Sequence, residues 1–424
     1  MKQDRSLYVG FDLGRTYSQI SCYDVKSDKI VTICQNKEMV DGLIPTLLGV
    51  TKEQREWVFG TEAKQLNEDD GILIDQILER IIRKEKFHVF GVLFTGEDIL
   101  EKYFRKTLLL LKRYYPSESI KKIVVTIKEK KTVLVEAIFH ALEQLGIEKD
   151  RVAVEGYEES YISYALGQER ELWINDIGLF ELDEEGLSYR QLILNRRTNP
   201  MIVEVWKKEF YDTLNLPMIK EQEKTKTTEK NEFLFLNTAK NVLYKQGVST
   251  IYVTGIGFLG EWADKALKEL CVGRRVFKGP NLYTKGACLQ AMKLGGIKQY
   301  EEYAFIGKGA IKANVMLPVY HDAKEEMLIL AKVGTLWNEV NNEADIILDN
   351  EDEIQIIVND PMKKETKTHI LEMDGLPVRA NKMTRIKIKI SFLDEKTAVI
   401  TLKDDGFGIF SETSNRVWEK TIIV

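Results

Sequence analysis

Residues 10–18 bring together glycines, a carboxylate and hydroxyl groups at a spacing that suits phosphate chemistry. Apolar runs at residues 7–11 and 19–23 flank the stretch, so we predict a β-hairpin with these groups at its turn. Glycine lets the backbone close on an anion without a Cβ in the way, and free amides and hydroxyls suit phosphate oxygens. The carboxylate of Asp12 suits a hydrated magnesium ion. The pattern predicts a phosphate site, and an ordinary hairpin with an Asp-x-Gly turn is the alternative.

Length and composition restrict the class of protein. The chain of 424 residues is long enough for two or three domains, and its 44% hydrophobic and 30% charged content is typical of a soluble globular protein. The net charge of −5 gives no strong basic field for nucleic acid, and no apolar stretch is long enough to span a membrane. With no secretion signal in the pattern, we expect a cytoplasmic protein that binds neither nucleic acid nor membrane.

The cysteines and histidines form no metal-binding or disulfide pattern. Cys22, Cys34, Cys271 and Cys288 are scattered without a Cys-x-x-Cys, and the four histidines form no His-Glu-x-x-His. We therefore predict reduced thiols and no zinc-hydrolase chemistry.

The predicted elements divide the chain into an α/β part and a β part. Up to residue 298, strands alternate with amphipathic helices, which is the pattern of an α/β fold. A solvated loop is predicted at residues 220–230, and helices at residues 71–86, 96–115, 132–145, 158–166, 233–246, 257–270 and 284–292. After Gly295-Gly296, eight runs alternate or are rich in β-formers, which predicts an all-β sandwich over residues 299–424.

Residues 10–18 resemble the first phosphate loop of the actin-like ATPase superfamily, and most closely that of the DnaK-type (seventy-kilodalton heat-shock) chaperones. The order and spacing of later segments are similar too, from the strand at residues 123–127 to the helix that ends at residue 166. The resemblance implies a two-lobed actin-like (ribonuclease-H-like) domain with lobes at about residues 1–168 and 169–298. It also implies ATP or ADP with magnesium as the cofactor.

The same resemblance gives roles to the residues of the first loop. Asp12 would hold magnesium through water, and Gly14, Thr16 and Tyr17 would donate to the β- and γ-phosphates. Arg15 departs from the chaperone pattern, which has a threonine there. An arginine at this place either pairs with phosphate or points to solvent.

The other nucleotide loops of the family are only partly present. The second phosphate loop would lie at Asp176 and Gly178, which makes Asp176 a second candidate magnesium ligand. The residues that follow, Leu179-Phe180-Glu181, replace the glycines and threonine of the family and would obstruct a phosphate. The adenosine loop resembles the family pattern with its second glycine displaced, over Gly255, Ile256 and Gly257.

The catalytic positions depart further from the chaperone pattern. Asp75 stands where the chaperones have a catalytic lysine, and Glu155 falls one position before the place of their catalytic glutamate. Asp12, Glu155 and Asp176 are therefore weak catalytic candidates. A helix start at residues 285–288 also resembles the family, although helix packing alone would demand its small residues.

The β part carries the resemblance most completely. Residues 331–337, 354–358, 371–377 and 386–403 resemble successive strands of the chaperones' substrate-binding sandwich, and we expect no helical lid. In those chaperones the sandwich holds an extended peptide by main-chain hydrogen bonds and apolar pockets, which implies a polypeptide or protein partner here.

The sequence predicts a lidless DnaK-like protein with a degenerate nucleotide site that binds a polypeptide or partner through its β-sandwich. Two alternatives stay open. One is an active ATP hydrolase of the actin-like superfamily, and the other is an actin-like scaffold that assembles with itself or with cell-envelope machinery.

Overall fold

The computed structural model of the chain describes residues 6–36, 41–225, 229–297, 302–349 and 351–424, with the backbone alone for residues 222–225. Its architecture is mixed α/β with several sheets. Contacts within the chain separate two units. The first unit is Met1–Leu192 with Trp206–Tyr300, and the second unit is Ile193–Val205 with Glu301–Val424.

The beginning of the first unit is built on a sheet in which a hairpin adjoins two parallel strands. Its elements are β1 (Ser6–Leu13), β2 (Tyr17–Asp24), β3 (Lys29–Ile33), β4 (Ile44–Pro45), β5 (Leu48–Thr51), β6 (Trp57–Phe59), α1 (Thr61–Lys64), β7 (Gly71–Ile74), α2 (Ile77–Ile82), β8 (Phe87–Val89), β9 (Val92–Phe94), α3 (Gly96–Tyr114), β10 (Ser119–Ile127), α4 (Thr132–Gln144), β11 (Val152–Gly156) and α5 (Tyr157–Leu166). The strand order is β3–β2–β1–β10–β11, and β4 pairs with β2. β1 runs antiparallel to β2 and parallel to β10, which is parallel to β11.

The next part of the chain repeats this strand order. Its elements are β12 (Asp176–Leu182), β13 (Leu187–Asn195), β14 (Met201–Tyr211), α6 (Leu216–Thr225), α7 (Glu229–Leu243), β15 (Val248–Thr254), α8 (Asp264–Leu270), β16 (Arg275–Lys278) and α9 (Leu282–Leu294). The order is β14–β13–β12–β15–β16. β12 runs antiparallel to β13 and parallel to β15, which is parallel to β16. Each of the two sheets therefore places a tight hairpin turn beside two parallel strands.

Local sequence explains the long helix α3. Thr95 caps it, because its Oγ1 accepts from the Asp98 N–H at 3.2 Å while the Asp98 carboxylate accepts from the Thr95 N–H at 2.9 Å. Apolar residues at helical spacing, including Ile99, Tyr103 and Phe104, are fully buried. The helix predicted at residues 96–115 is confirmed.

Two predicted elements of the first unit are wrong. Residues 71–86 are not one helix, because Gly71–Ile74 pairs as a strand with β5 and buries Ile74 before α2 begins. Residues 220–230 are not a loop throughout, because α6 continues to Thr225 and α7 begins at Glu229, while residues 226–228 lie outside the described part. In both places tertiary burial decides, since buried Ile219 anchors α6 while the neighbouring Lys220 and Glu221 are exposed.

The predicted helix at residues 257–270 is shorter in the structure. A 3₁₀ turn covers Ile256–Phe258, and α8 begins only at Asp264. Between them the Trp262 indole N–H donates to the Gly257 carbonyl at 2.7 Å, which fixes an irregular turn. Within the described residues no helix is both long and apolar enough to cross a membrane.

Helix α9 packs tightly against the first sheet and α5. A Cβ built on Gly286 would lie 1.9 Å from the Ser160 carbonyl oxygen, so only glycine permits this approach. The Thr284 hydroxyl donates to the Gly10 carbonyl at 3.1 Å. The small residues at the start of this helix are therefore explained by packing.

The second unit is built from strands, β17 (Tyr303–Ile306), β18 (Asn314–His321), β19 (Lys324–Ala331), β20 (Asn341–Ile347), β21 (Glu353–Asp360), β22 (Glu365–Glu372), β23 (Arg385–Asp394), β24 (Thr397–Gly406) and β25 (Val417–Ile423). Antiparallel sheets of order β19–β18–β21–β22 and β20–β23–β24–β25 share one core that includes Val315, Ile356, Ile388 and Ile400. Each of the eight predicted β-runs overlaps one of the strands β18–β25.

Residues 193–205, which the sequence placed with the α/β part, belong to the second unit. Met201–Glu204 of β14 pairs in parallel with β17. Ile202 joins Ala304, Ile306 and Val333 in a small buried cluster.

Candidate functional site

A cavity of about 590 Å³ lies in the first unit, where the β1–β2 turn and the β12–β13 turn both reach its wall. The first turn contributes residues 13–17 and the second contributes residues 183–185. Parts of α2, the segment leading into α4, and Gly255-Ile256 complete the lining. A cavity of this volume has room for a nucleotide-sized ligand.

The structure brings most of the residues predicted for nucleotide binding to this cavity. Those that line it are Asp12, Gly14, Arg15, Thr16, Tyr17, Gly255 and Ile256. Those that do not are Asp176, Gly178, Gly257 and Glu155.

Asp176 and Gly178 are displaced because β12 is longer than the sequence prediction allowed. Buried Leu179, Phe180 and Leu182 continue the strand, so Asp176 stands at its start, about 20 Å along the strand from the turn at the spacing of extended chain. The Asp176 carboxylate accepts from Gln191 Nε2 at 2.8 Å. The structure does not bring the predicted magnesium ligands Asp12 and Asp176 to one site.

The turn that faces the cavity from the second sheet is the acidic segment 183–186. The Asp183 carboxylate accepts from the backbone N–H groups of Glu185 and Gly186 at 2.9 and 3.1 Å. Backbone N–H groups at such a turn are donors that a phosphate would use. Here the Asp183 carboxylate already accepts their hydrogen bonds.

The basic side chains at the two turns are paired in the same way. Arg15 pairs with Glu79 and, at 3.1 Å, with Glu185. Lys128 lies 2.9 Å from both Asp183 and Glu185. Arg15 is exposed, as in one of the two predicted arrangements, and it also pairs there with carboxylates of α2 and of the opposite turn. Two cations and two backbone amides that an incoming phosphate could use are therefore already paired within the chain.

Asp12 lies in the cavity wall and is 7% exposed. Its Oδ1 accepts from the Tyr157 hydroxyl at 2.9 Å. Burial raises the pKa of Asp12 to about 7, the Tyr157 hydrogen bond works against this, and the nearby Glu181 raises the pKa further. Because magnesium binds the ionised form of a carboxyl group, its binding to Asp12 would compete with the proton.

A polar network continues from Asp12 through the cavity wall. The ring of Tyr157 stacks on that of Tyr283, with centroids 3.8 Å apart and planes 15° apart. Glu181 Oε2 accepts from the Tyr283 hydroxyl at 2.9 Å and from Arg190 Nη1 at 2.6 Å. Glu181, which the sequence identified as an obstacle to phosphate, is held here in a buried ion pair.

Glu155 lies behind the cavity in β11. It is 7% exposed, and its Oε1 accepts from the Ser160 hydroxyl at 2.5 Å. Burial raises the pKa of Glu155 to about 8 against the effect of the Ser160 bond. Since the side chain does not line the cavity, it is not placed to act as a base there.

The glycines at residues 255 and 257 are required by packing. Gly255 has φ +99°, and a Cβ on it would lie 2.3 Å from the Leu182 carbonyl oxygen. A Cβ on Gly257 would lie 2.4 Å from Leu182 Cγ. The turn is thus shaped by β12, and only its first two residues reach the cavity.

Sequence reasoning missed several residues that define the site: Glu79, Lys128, Tyr157, Asp183 and Glu185. The Asp-Glu-Glu-Gly run at residues 183–186, between two apolar runs, is a hairpin signal that locates the second turn. Among the described residues, no group of three or more His, Cys, Asp or Glu side chains is arranged to hold a metal ion.

The fold and the cavity define a mixed α/β protein with a ligand-sized cavity whose turn charges are paired internally. Residues 29–308, about two thirds of the chain, match the family described as "Family of unknown function (DUF5716) C-terminal", and the protein belongs to that family. Residues 310–424 match the "Domain of unknown function (DUF8552)". A search of curated proteins finds no match to the chain.

Proposed function

We propose that this protein is a divergent DnaK-like protein that has lost ATP hydrolysis and binds a polypeptide or partner protein through its second unit. The observation that carries the proposal is the internal pairing at the two turns of the cavity. Asp183 and Glu185 occupy the amides and cations that a phosphate would need.

The repeated strand order supports an actin-like first unit. Both sheets place an antiparallel hairpin beside two parallel strands, and both hairpin turns reach the same cavity. A duplicated arrangement around a shared cleft is what the resemblance of residues 10–18 implies. We propose on this basis that the first unit is similar to the nucleotide-binding part of DnaK-type proteins.

Electrostatics favour loss of nucleotide binding. A triphosphate at the turns would lie close to the carboxylates of Glu79, Asp183 and Glu185. Two unit charges of like sign 4 Å apart repel by about 4 kcal/mol at an effective dielectric of 20. Releasing Arg15 and Lys128 to compensate would break their existing ion pairs. We therefore assign no hydrolytic step to this cavity.

The second unit supports the binding half of the proposal. Its two antiparallel sheets share one core, which is consistent with the expected β-sandwich. Extended polypeptides are bound by sheets of this kind through main-chain hydrogen bonds and side-chain contacts.

The test uses the full chain with a permanently unfolded model polypeptide, reduced and carboxymethylated lactalbumin. We expect a complex in analytical ultracentrifugation whose dissociation constant is the same with and without magnesium ATP. Turnover of ATP near or above ~1 s⁻¹ would instead establish an active hydrolase. Assembly of the chain with itself, without uptake of the polypeptide, would establish a scaffold.

A further inference from the structure

The two sheets of the second unit present very different outer faces. Seven outward side chains of the β19–β18–β21–β22 sheet are apolar and define what we call the apolar face: Met316, Pro318, Tyr320, Met327, Ile329, Ile357 and Ile370. Among these, Met327 and Ile329 are each 52% exposed. The uncharged polar residues on the same side are Asn314, Gln355, Asn359, Thr366 and Thr368. The pairing register places no Lys or Arg on this face, and the charged residues that share it are Glu325, Glu353 and Glu372.

The outer face of the β20–β23–β24–β25 sheet is charged instead. Glu343 lies opposite Lys389, and Asp345 lies opposite Lys387. The Lys387 ammonium is 3.5 Å from the Asp345 carboxylate. Alternating charges of this kind are typical of a solvated face. The exposed apolar side chains of the other face therefore distinguish it from an ordinary solvated surface.

Strand β19 also leaves a free edge. It pairs with β18 on one side, and among the described residues no strand pairs with its other side. The Asn342 side chain caps the edge only at its end, where it donates to the Leu330 carbonyl at 2.8 Å. Natural edge strands are normally protected by lysine, proline or a bulge, and β19 has Lys324 at its start and a register shift against β18 near its end, between Val315 and Met316. Over residues 327–331 this edge carries five successive apolar residues, Met-Leu-Ile-Leu-Ala.

The opposite edge of the same sheet, strand β22, is contacted by a charged side chain. On β22, the Lys420 ammonium donates to the Ile370 carbonyl at 2.5 Å, which places a charge at that edge. The β19 edge therefore combines unpaired main-chain groups with exposed apolar side chains in alternation.

We propose that the free edge of β19 binds an extended segment of another polypeptide, which adds to the sheet as a strand. The segment carries apolar side chains at alternate positions, and they cover Met327 and Ile329. It carries a basic residue at the end that reaches Glu325, because the charges on this face are acidic. This inference rests on the proposed polypeptide-binding function and names its site and the chemistry of its partner.

The experiment measures fluorescence anisotropy with the full chain and a labelled nonapeptide that alternates valine and threonine between terminal lysines. Ile329→Lys puts a charge at the proposed site. Ile347→Lys is the matched control, because Ile347 is 54% exposed on the edge strand β20 of the other sheet. Met327→Lys is a second site variant, and circular dichroism verifies that each variant is folded.

Two further peptides test the mode of binding with the unaltered chain. One carries N-methyl groups on alternate amides, which removes the main-chain donors along one edge. The other replaces the terminal lysines with glutamates. We expect Ile329→Lys and Met327→Lys to weaken binding at least tenfold and Ile347→Lys to change it less than twofold. We expect the N-methylated peptide to lose binding and the glutamate peptide to bind at least threefold more weakly.

Several outcomes would overturn the inference. Equal binding by the Ile329→Lys and Ile347→Lys variants, or by the N-methylated peptide, would place the peptide elsewhere and leave the polypeptide-binding proposal intact. A concentration-dependent dimer that Ile329→Lys abolishes would assign the edge to a second copy of this chain. Failure to bind both the nonapeptide and unfolded lactalbumin would remove the inference together with the proposed function.

Discussion

At the residue scale, Asp12 combines burial with a single hydrogen bond from Tyr157. Its position beside two glycines and a hydroxyl run made it the leading magnesium ligand in the sequence. Its surroundings instead favour the protonated carboxyl group, because burial and the nearby Glu181 outweigh the hydrogen bond from Tyr157 and raise the pKa of Asp12. The residue type could be read from the sequence, but its protonation state depends on what packs around it.

Replacing Asp12 tests whether its carboxyl group is protonated in the folded chain, through the pH dependence of the free energy of unfolding. Burial raises its pKa from 3.8 to about 7, so the folded chain binds more protons than the unfolded chain between those values. Its contribution to the free energy of unfolding therefore falls as the pH rises through that window and is fully lost above pH 7. Asp12→Asn keeps an acceptor for Tyr157 and removes the titration.

We expect the stability of Asp12→Asn relative to wild type to increase by about 2–4 kcal/mol from pH 4 to pH 8. Urea unfolding at each pH measures it. Asp69→Asn, at an exposed surface position, is the control and should show a flat difference. A flat difference for Asp12→Asn as well would mean that its carboxylate is ionised and solvated in the fold.

The acidic turn gives a second prediction at this scale. Asp183→Asn with Glu185→Gln removes both carboxylates that pair with Lys128 and one of the two that pair with Arg15, the other being Glu79. We expect the double variant to bind inorganic tripolyphosphate at least tenfold more tightly than wild type, equivalent to ~1.4 kcal/mol. Isothermal titration calorimetry measures it.

Glu129→Gln is the matched control for the acidic turn, since Glu129 also lines the cavity but pairs with Lys131. It should leave anion binding unchanged. An increase of the same size in both variants would show that net charge, and not the pairing at the turns, limits anion binding.

At the scale of elements, two loops of the second unit are joined by one buried ion pair. The Asp404 side chain in β24 is fully buried and accepts from Arg379 Nη1 and Nη2, each at 2.7 Å. Burial alone would raise the pKa of Asp404, but the bonds from Arg379 and Ser414 hold it well below its usual range. Arg379 also donates to the Glu412 carbonyl, so it ties the segment before β23 to the β24–β25 loop.

Removing this arginine should be costly. Arg379→Met leaves the Asp404 carboxylate buried without its partner, and we expect a loss of about 3–5 kcal/mol in the free energy of unfolding. Urea unfolding of the full chain, followed by a probe in the second unit, measures it. Lys382→Met removes an exposed pair with Asp349 and should change stability by less than about 0.5 kcal/mol. Equal small effects would show that water replaces Arg379 at Asp404.

At the scale of the whole molecule, the division into units does not follow a single point in the chain. Residues 193–205 lie far from residue 301 in sequence, yet they belong to the second unit through the pairing of Met201–Glu204 with β17. A β-strand can satisfy its main-chain groups with any neighbouring strand, so chain order alone does not assign it.

This assignment predicts that the fragment of residues 302–424 is incomplete. It lacks Ile202, which is buried against Ala304, Ile306 and Val333. We expect a peptide of residues 193–205 to raise the melting temperature of the fragment by several degrees, measured by circular dichroism, as for any ligand of the folded state. A peptide of the same composition in scrambled order should have no effect. An unchanged melting temperature with the native peptide would show that the strand contributes little to the unit.

Local patterns in the sequence determined several helices and most strands of the second unit. The helices at residues 96–115 and 132–145, the hairpin at residues 10–18 and the eight β-runs after residue 310 depend on capping, periodicity and turn residues close in the chain. They also indicated part of the cavity wall, because Asp12, Gly14 and Arg15 lie at or directly after the end of the buried strand β1.

Only the tertiary structure decided which groups meet. Glu79, Lys128 and Glu185 are far apart in the chain, and their ion pairs with Arg15 and Asp183 exist because two hairpin turns approach one cavity. The burial of Leu179, Phe180 and Leu182 continues β12 to Leu182, so that an acidic turn, and not Asp176, lines the cavity together with Asp12. Charge pairing and burial depend on distances across the fold, and residue types along the chain do not contain those distances.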